Sequence, residues 1–482
     1  MRSYDHWIGG DCVSSDSADM LERKNPATGK VIARFSAGTS TDVDKAIAVA
    51  RQAFDSGPWP AETGVERGRA LQRLASLMRR DLEKLARLDC EEVGKPLAAA
   101  RGEIDFAIGL VESAAGLAMH LHGDTHSTLG AERLGIVLRE PVGVAAMITP
   151  WNFPACILCQ KFPYALAAGC TVVVKPSELT SSSTLEVARL TKEAGIPDGV
   201  FNVVTGIGEP VGRRLAEHDD IDLLSFTGST ATGRKILGAS QGNLKKVALE
   251  LGGKGASIVF ADADLSKAAL GCALGNYANQ GEVCCSTPRI LVERSIARDF
   301  TERLVAQSRA IRVGDPFDEA VQLGALIHEG HMDKVLGHVT EAVQRGSRLL
   351  SGGERLAGDA FDQGLYMSPA VIEVEDPSVP VFQDEVFGPV MTVKVFDTTD
   401  EAVGIANQTR YGLSNSVWTK DLDKAINVGR RVRSGNVWIN TVLDNHVNLP
   451  FGGFKGSGHG KEMGRHGLEE YTQLKSMIVR TD

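Results

Sequence analysis

GCTVVVKPSELTSSSTLEVARLTKEAGIPDGVFNVVTG, residues 169–206, reads as a strand, a helix and a second strand in direct succession. A run of valines closes on Lys175 and Pro176, SSSTLEVARLTKEAG follows at helical spacing, and GVFNVVTG stops at Gly206. Both apolar runs lack alternation, so each strand is apolar on two faces. That is the mark of a parallel sheet covered by helices. The same beat extends outward through VGVAAMIT (142–149), IDLLSFTG (221–228) and KKVALELGG (245–253), with STATGRKILGAS (229–240) as a helix between the last two. A second series follows in ASIVFADADL, RILVER, AVIEVED, VMTVKVFD, LSNSVWTK and GNVWIN. The fold class is α/β, with two interlocked doubly wound domains. The strands end in Gly, Pro, Ser and Thr, at the carboxyl edge where open α/β sheets hold ligands.

From about residue 41 to 121 the pattern is mostly helical. TSTDVDKAIAVARQAFDSG opens with capping residues, and ERGRALQRLASLMRRDLEKLARLDCEEVG keeps apolar positions on one face. RLGIVLRE (133–140) alternates like a strand, and KSMIVR near the end is strand-like too. The glycine-rich FGGFKGSGHG (451–460) reads as a flexible loop.

Composition narrows the function classes. The chain has 482 residues and 43% hydrophobic content, as globular proteins do. Its 52 Lys and Arg stand against 61 Asp and Glu, a net charge of −9 with no basic run, so no nucleic-acid partner is expected. No membrane-length apolar segment or secretory leader is visible. Eight cysteines are sparse for a disulfide scaffold, and a cytoplasmic location is the simpler expectation. Cys156 and Cys159 form a C-x-x-C pair with no second half-site, which reads as helix packing.

NQGEVCCSTPR (279–289) places Cys284 beside Cys285, too close for easy disulfide geometry. Two small buried hydrophobes would give the same letters, so the doublet needs partners. GASQG (238–242) matches a nucleophile elbow by letter but follows a helix, not a strand. TGIGEPVG (205–212) spaces its glycines poorly for a dinucleotide fingerprint. Three features are stronger. TPWNFP (149–154) presents Asn152 on a turn fixed by two prolines, where its amide could donate to an oxyanion. VALELGGKG (247–255) sets Glu250 at a strand end, a costly place for a carboxylate without a task and so a general-base candidate. VVVKPSE (172–178) ends a strand with Lys175 and Glu178, where a doubly wound fold holds ribose hydroxyls.

PWNFP, KPSE, FTGST (226–230), ELGGK (250–254), GEVCC (281–285), EVFGP (385–389) and PFGG (450–453) come in the order and spacing of the aldehyde dehydrogenase superfamily, which the chain resembles over nearly its whole length. The resemblance implies oxidation of an aldehyde to its carboxylic acid with NAD, NADP being possible, and no metal. It implies Cys284 as nucleophile, Asn152 as oxyanion donor and Glu250 as the base for hydrolysis. Lys175 and Glu178 fall to the adenosine ribose, Gly206 to the adenine, Ser229 to the pyrophosphate, and Glu385 and Phe387 to the nicotinamide ribose and ring. Phe153, Gln160 and Phe451 fall to the substrate pocket.

The domains so implied are 1–122 with 142–251 for NAD, 252–450 for catalysis, and 123–141 with 451–482 as an oligomerisation arm and return segment. The partner is a small aldehyde, and the state a homodimer or homotetramer. Gln160 and the polar LDNHVNLP loop (443–450) favour a semialdehyde or another substrate with a polar end over an aromatic or aliphatic one. Glu282 stands where many relatives have glutamine, with its direction open. A CoA-acylating enzyme and a non-catalytic cofactor-binding protein are the rivals.

Overall fold

A computed structural model describes residues 1–480. Its first sheet has eight strands. The five at its centre run parallel in the order Lys246–Glu250, Leu223–Thr227, Val144–Ile148, Thr171–Lys175, Phe201–Val203. The chain starts in the middle at Val144–Ile148, winds one way to Phe201–Val203, then jumps back to Leu223–Thr227. Order therefore reverses between Val144–Ile148 and Leu223–Thr227, and a crevice opens past their carboxyl ends. The segments that enter it are Thr149–Phe153 and Thr227–Ser229.

These strands are buried on both faces, as their valine content requires. Helix Pro154–Ala168 covers one face and is buried along almost its full length. Helices Gly64–Arg80 and Leu97–Ala118 pack outside it. The second sheet has seven strands, with Ala256–Val259, Arg289–Glu293, Val390–Phe396 and Ser414–Trp418 at its centre, all parallel. Thr472–Arg480 pairs antiparallel with Arg133–Pro141 in a three-stranded sheet that Asp124–His126 completes.

Two expectations change, and the residues before 41 gain structure of their own. The helical stretch 66–94 is two helices, Gly64–Arg80 and Leu82–Val93, because Asp81 leaves helical geometry with its carboxylate held by Arg80. Residues ahead of the first helix form strands of three to six residues, too short for a period to show. FGGFKGSGHG is fixed in place. Gly458–His459 pairs antiparallel with Lys246–Glu250, and Phe451 bridges to Glu462. An exposed sheet edge gains hydrogen bonds from any segment laid along it, and this one closes the edge beside Glu250.

Candidate active site

The strand ends deliver the sequence motifs to one crevice. Asn152 follows Val144–Ile148, Lys175 ends Thr171–Lys175, Gly206 follows Phe201–Val203, Ser229 follows Leu223–Thr227, and Glu250 ends Lys246–Glu250. Cys284 arrives from the other domain on a loop after helix Leu265–Tyr277. That loop is strained at its start: Asn279 and Gln280 both hold left-handed backbone, at φ 46° and 57°. Such strain persists only where surrounding contacts enforce it, and it gathers at functional sites.

Two cavities meet at the cysteine. One, of about 200 Å³, is bordered by Trp151, Asn152, Ser229, Gly252, His331, Lys334, Glu385 and Phe387. The other, of about 520 Å³, is bordered by Phe106, Phe153, Gln160, Val283, Asn445 and Phe451 among others. Cys284, Glu250 and Thr227 border both. A group held at Cys284 is therefore reached from two sides.

Glu250 is buried, and neither of its oxygens has a hydrogen-bond partner among the described residues. Burial pushes its carboxyl well above the usual range; Glu462 pushes the same way, while Lys161 and Lys461 oppose. The Cys284 thiol is also held high, first by the adjacent Cys285 thiol and by burial, then by Glu385 and Glu250. A buried carboxylate with two unused oxygens costs several kcal/mol, a cost that a structural role does not explain. Thr227 Oγ1 is likewise buried without a partner.

The Gly252–Gly253 bend makes this density possible. A Cβ at Gly252 would lie 2.3 Å from the Glu385 carboxylate, and one at Gly253 would lie 2.1 Å from the Cys284 carbonyl. Glu385 in turn accepts the Gly253 N–H at 2.9 Å. Phe387 sits at φ 61° and packs edge-on to Trp151, with ring centroids 5.3 Å apart. His331 Nε2 donates to the Phe387 carbonyl at 2.6 Å, and burial lowers this histidine to about 4, so it stays neutral.

Asn152 Nδ2 donates one N–H to the Glu282 carbonyl at 2.9 Å. An amide has two such hydrogens, and the second is unassigned. The direction of Glu282 is resolved. Its carboxylate accepts the Ile327 N–H at 3.0 Å and faces Gln280 and His331. At the far strand ends Lys175 and Glu178 lie 3.5 Å apart, with Lys175 buried and Glu178 partly exposed. Ser229 caps helix Thr230–Ala239 by accepting the Thr232 N–H. Lys175, Glu178 and Gly206 lie outside both cavities, farther along the same edge.

Cys285 is buried, and its carbonyl accepts the Ser414 hydroxyl at 2.6 Å. Cys156 and Cys159 lie in helix Pro154–Ala168, and Cys156 touches the larger cavity. Of the polar loop 443–450, Asn445 borders that cavity, whereas Asp444 and His446 border a separate one.

Sequence reasoning missed Lys95, Lys161, Thr227, His331 and Glu462. Lys161 had a signal, being the only charge in the apolar helix Pro154–Ala168; there it donates to Ser225 and pairs with Glu462. Thr227 lies inside FTGST with Ser229, and Lys95, His331 and Glu462 carry no local mark.

The geometry can be set beside known proteins. The aldehyde dehydrogenase family model matches residues 12–477. Betaine aldehyde dehydrogenase of Bacillus subtilis is 40% identical over 475 residues, spanning 98% of this chain and 97% of its own. The crystal structure of an NAD-dependent aldehyde dehydrogenase from Sinorhizobium meliloti matches with TM-score 0.98 at 47% identity, covering 99% of this chain and 95% of its own. That of Staphylococcus aureus betaine aldehyde dehydrogenase, solved with NAD+, matches at 0.97 and 37%, with 99% and 95% covered.

Proposed function

The chain belongs to the aldehyde dehydrogenase family and oxidises aldehydes to carboxylic acids with NAD(P), and we propose that Cys284, Glu250 and Asn152 do the work. One observation carries this reading: Cys284 and Glu250 stand together where a small cavity and a large one meet.

The smaller cavity, together with the sheet edge that runs on from it, fits a nicotinamide cofactor by its chemistry. Lys175 and Glu178 offer a cation and a carboxylate to ribose hydroxyls. Ser229 at a helix N-terminus suits a pyrophosphate. Glu385 and Phe387 offer a second ribose acceptor and an apolar ring face. Gly206, farther along that edge, would lie beside the adenine. The cofactor, when bound, supplies a hydride acceptor. NAD is preferred to NADP, because Glu178 favours a 2′-hydroxyl and repels a 2′-phosphate.

In the resting protein burial and the adjacent Cys285 thiol hold the proton on Cys284, which releases it to solvent to form the reacting thiolate and leaves the Glu250 carboxylate free for the later step. The thiolate attacks the aldehyde carbon to give a thiohemiacetal. Its oxyanion meets the second N–H of Asn152 and the main-chain N–H of Cys284. After oxidation to the thioester, Glu250 draws a proton from water, which attacks the acyl carbon and releases the acid. Glu462, which borders the larger cavity and pairs with the buried Lys161, keeps the region beside Glu250 polar. The presence of Glu250 favours hydrolysis over transfer to CoA. The presence of all three groups weighs against a non-catalytic binding protein.

The larger cavity receives the substrate against Phe153, Gln160 and Phe451. Its walls are mostly apolar, and Gln160, Gln322 and Asn445 give it polar points that suit an aldehyde with a polar end. The strand Thr472–Arg480 supports a homodimer or homotetramer. It lies at a sheet edge with Leu474 and Ile478 63% and 69% exposed, a costly edge for a monomer. The two large sheets support a division into 1–122 with 142–251, 252–450, and an arm of 123–141 with 451–482. A cytoplasmic location accords with eight free cysteines.

The test is NADH formation across aldehydes of matched length with polar, cationic, aromatic or aliphatic ends. Higher kcat/KM for the polar or cationic set supports the substrate reading, and a preference for aliphatic aldehydes rejects it. Light scattering at micromolar concentration checks the oligomer, with a monomeric mass as the contrary result.

A further inference from the structure

Lys95 is wholly buried in the link between helices Leu82–Val93 and Leu97–Ala118. A buried ammonium is expensive unless every donor is used. Its Nζ donates to the main-chain carbonyl of Asn152 at 2.7 Å, pairs with Glu103, and stands 4.3 Å from the ring centre of Phe153. None of the steps above uses it.

The Asn152 carbonyl takes a second hydrogen bond, from Asn279 Nδ2 at 3.0 Å. That same amide lies 3.3 Å from the Glu282 carbonyl, which also accepts Asn152 Nδ2 at 2.9 Å. The result is a closed ring of hydrogen bonds. It ties the turn carrying the Asn152 amide to the loop carrying the Cys284 N–H, two residues beyond Glu282. Asn279 holds its half of the ring from a left-handed backbone, so its grip is set by the loop's own strain. Lys95 is the one member that comes from a third part of the chain, and it fixes the ring to the helical layer.

We propose that Lys95 is a positioning residue for the oxyanion site, acting through the Asn152 carbonyl to hold the free N–H of that amide toward the reacting carbon. The proposal rests on the reading of Asn152 as an oxyanion donor. Donors stabilise a developing charge only when they are aimed before it forms, and a rotated Asn152 peptide would carry its side chain away. Phe153 is the next residue and borders the substrate cavity, so one cation orients an oxyanion donor and packs against a substrate wall.

The experiment is a double-mutant cycle of Lys95→Met and Asn152→Ala in the full-length protein, read in two ways. One reading is the NADH burst at saturating aldehyde. The other is acylation by an activated aryl ester without cofactor, which needs the same oxyanion site. Lys95→Met should slow both by about 10- to 100-fold, less than the roughly 10²–10³ expected for losing the donor itself. The KM for aldehyde should move by less than about threefold, since the substrate walls stay in place. In the Asn152→Ala background the same change should add no more than about twofold.

Equal losses in both backgrounds would mean that Lys95 acts elsewhere, and the proposal falls. An unchanged rate in Lys95→Met overturns it as well. Should Asn152→Ala alone keep full rate in both assays, the oxyanion reading is what fails. If Lys95→Met does not fold, Lys95→Met/Glu103→Leu replaces it in the cycle, because it removes both charges together; Glu103 borders the larger cavity, so the two rates alone then decide, with the same supporting and overturning results.

Discussion

The two cavities that meet at Cys284 are built differently. The smaller is assembled mainly from strand ends and the turns directly after them, in the short motifs Trp151 and Asn152, Thr227 to Ser229 and Glu250 to Gly252. The turn with Glu385 and Phe387 ahead of Val390–Phe396, and His331 and Lys334 from helix Glu329–Gln344, complete it. The larger is assembled from faces of helices and from distant loops. Phe106 comes from Leu97–Ala118, Ile157 and Gln160 from Pro154–Ala168, Leu274 from Leu265–Tyr277, and Asn445 and Phe451 from the segment after Asn436–Ile439. Chemistry common to every turnover is placed on the rigid sheet edge. Choice of substrate is left to surfaces where one side chain can change without moving a strand.

The largest test lies at the junction itself. Cys284→Ala should drop activity to background with every aldehyde, because it removes the only atom able to hold the acyl group. Cys285→Ala should keep most of the activity, since this buried neighbour contributes packing and accepts the Ser414 hydroxyl through its main-chain carbonyl. Reversed results would reassign the doublet and move the meeting point of the two cavities by one residue.

Glu250→Gln should lower steady turnover by roughly 10²–10⁴-fold while leaving a burst near one NADH per site and an acyl adduct on Cys284 in the intact mass. Because the Glu250 carboxyl and Cys284 thiol are both held high, wild-type turnover should fall as pH drops and either group regains its proton, with the thiol limb above the usual thiol range. Stopped-flow and pH profiles check both statements. If Glu250 also takes the thiol proton, the variant's burst slows at pH 7 and recovers at higher pH. Full turnover at pH 7 with no adduct would leave Glu250 a structural residue.

Glu178→Gln, at the far end of the cofactor edge, should raise kcat/KM for NADP relative to NAD by about tenfold, near the ~1.4 kcal/mol that one charge repulsion supplies at an exposed site. Equal use of both cofactors by the wild type would break the reading. The smallest effect belongs to the larger cavity. Gln160→Leu should shift KM between polar and aliphatic aldehydes by about 3- to 10-fold and leave kcat nearly fixed, as expected for uniform binding. A large loss in kcat would mean that the two cavities are not separable in function.

The strand series and its carboxyl edge were legible because β-branched runs and period-breaking glycines are local signals. Glu250 was legible because a carboxylate closing an apolar strand is locally costly. The FGGFKGSGHG segment was misread because glycine marks conformational freedom and says nothing of a sheet edge waiting beside it. Glu282 could not be oriented from its neighbours in sequence. Its partners, the Ile327 N–H and His331, lie about 45 positions on.

By itself, then, the sequence determined the parallel sheets, the motifs at their edges and the family, because each depends on residues within a few positions of one another. The tertiary structure decided the rest. It joined Lys161 to Glu462, 301 positions apart, beside Glu250, lined the substrate cavity from helix faces, and set Lys95 under the Asn152 carbonyl. Those contacts follow from how helices settle on a sheet, and no stretch of neighbouring residues records that packing.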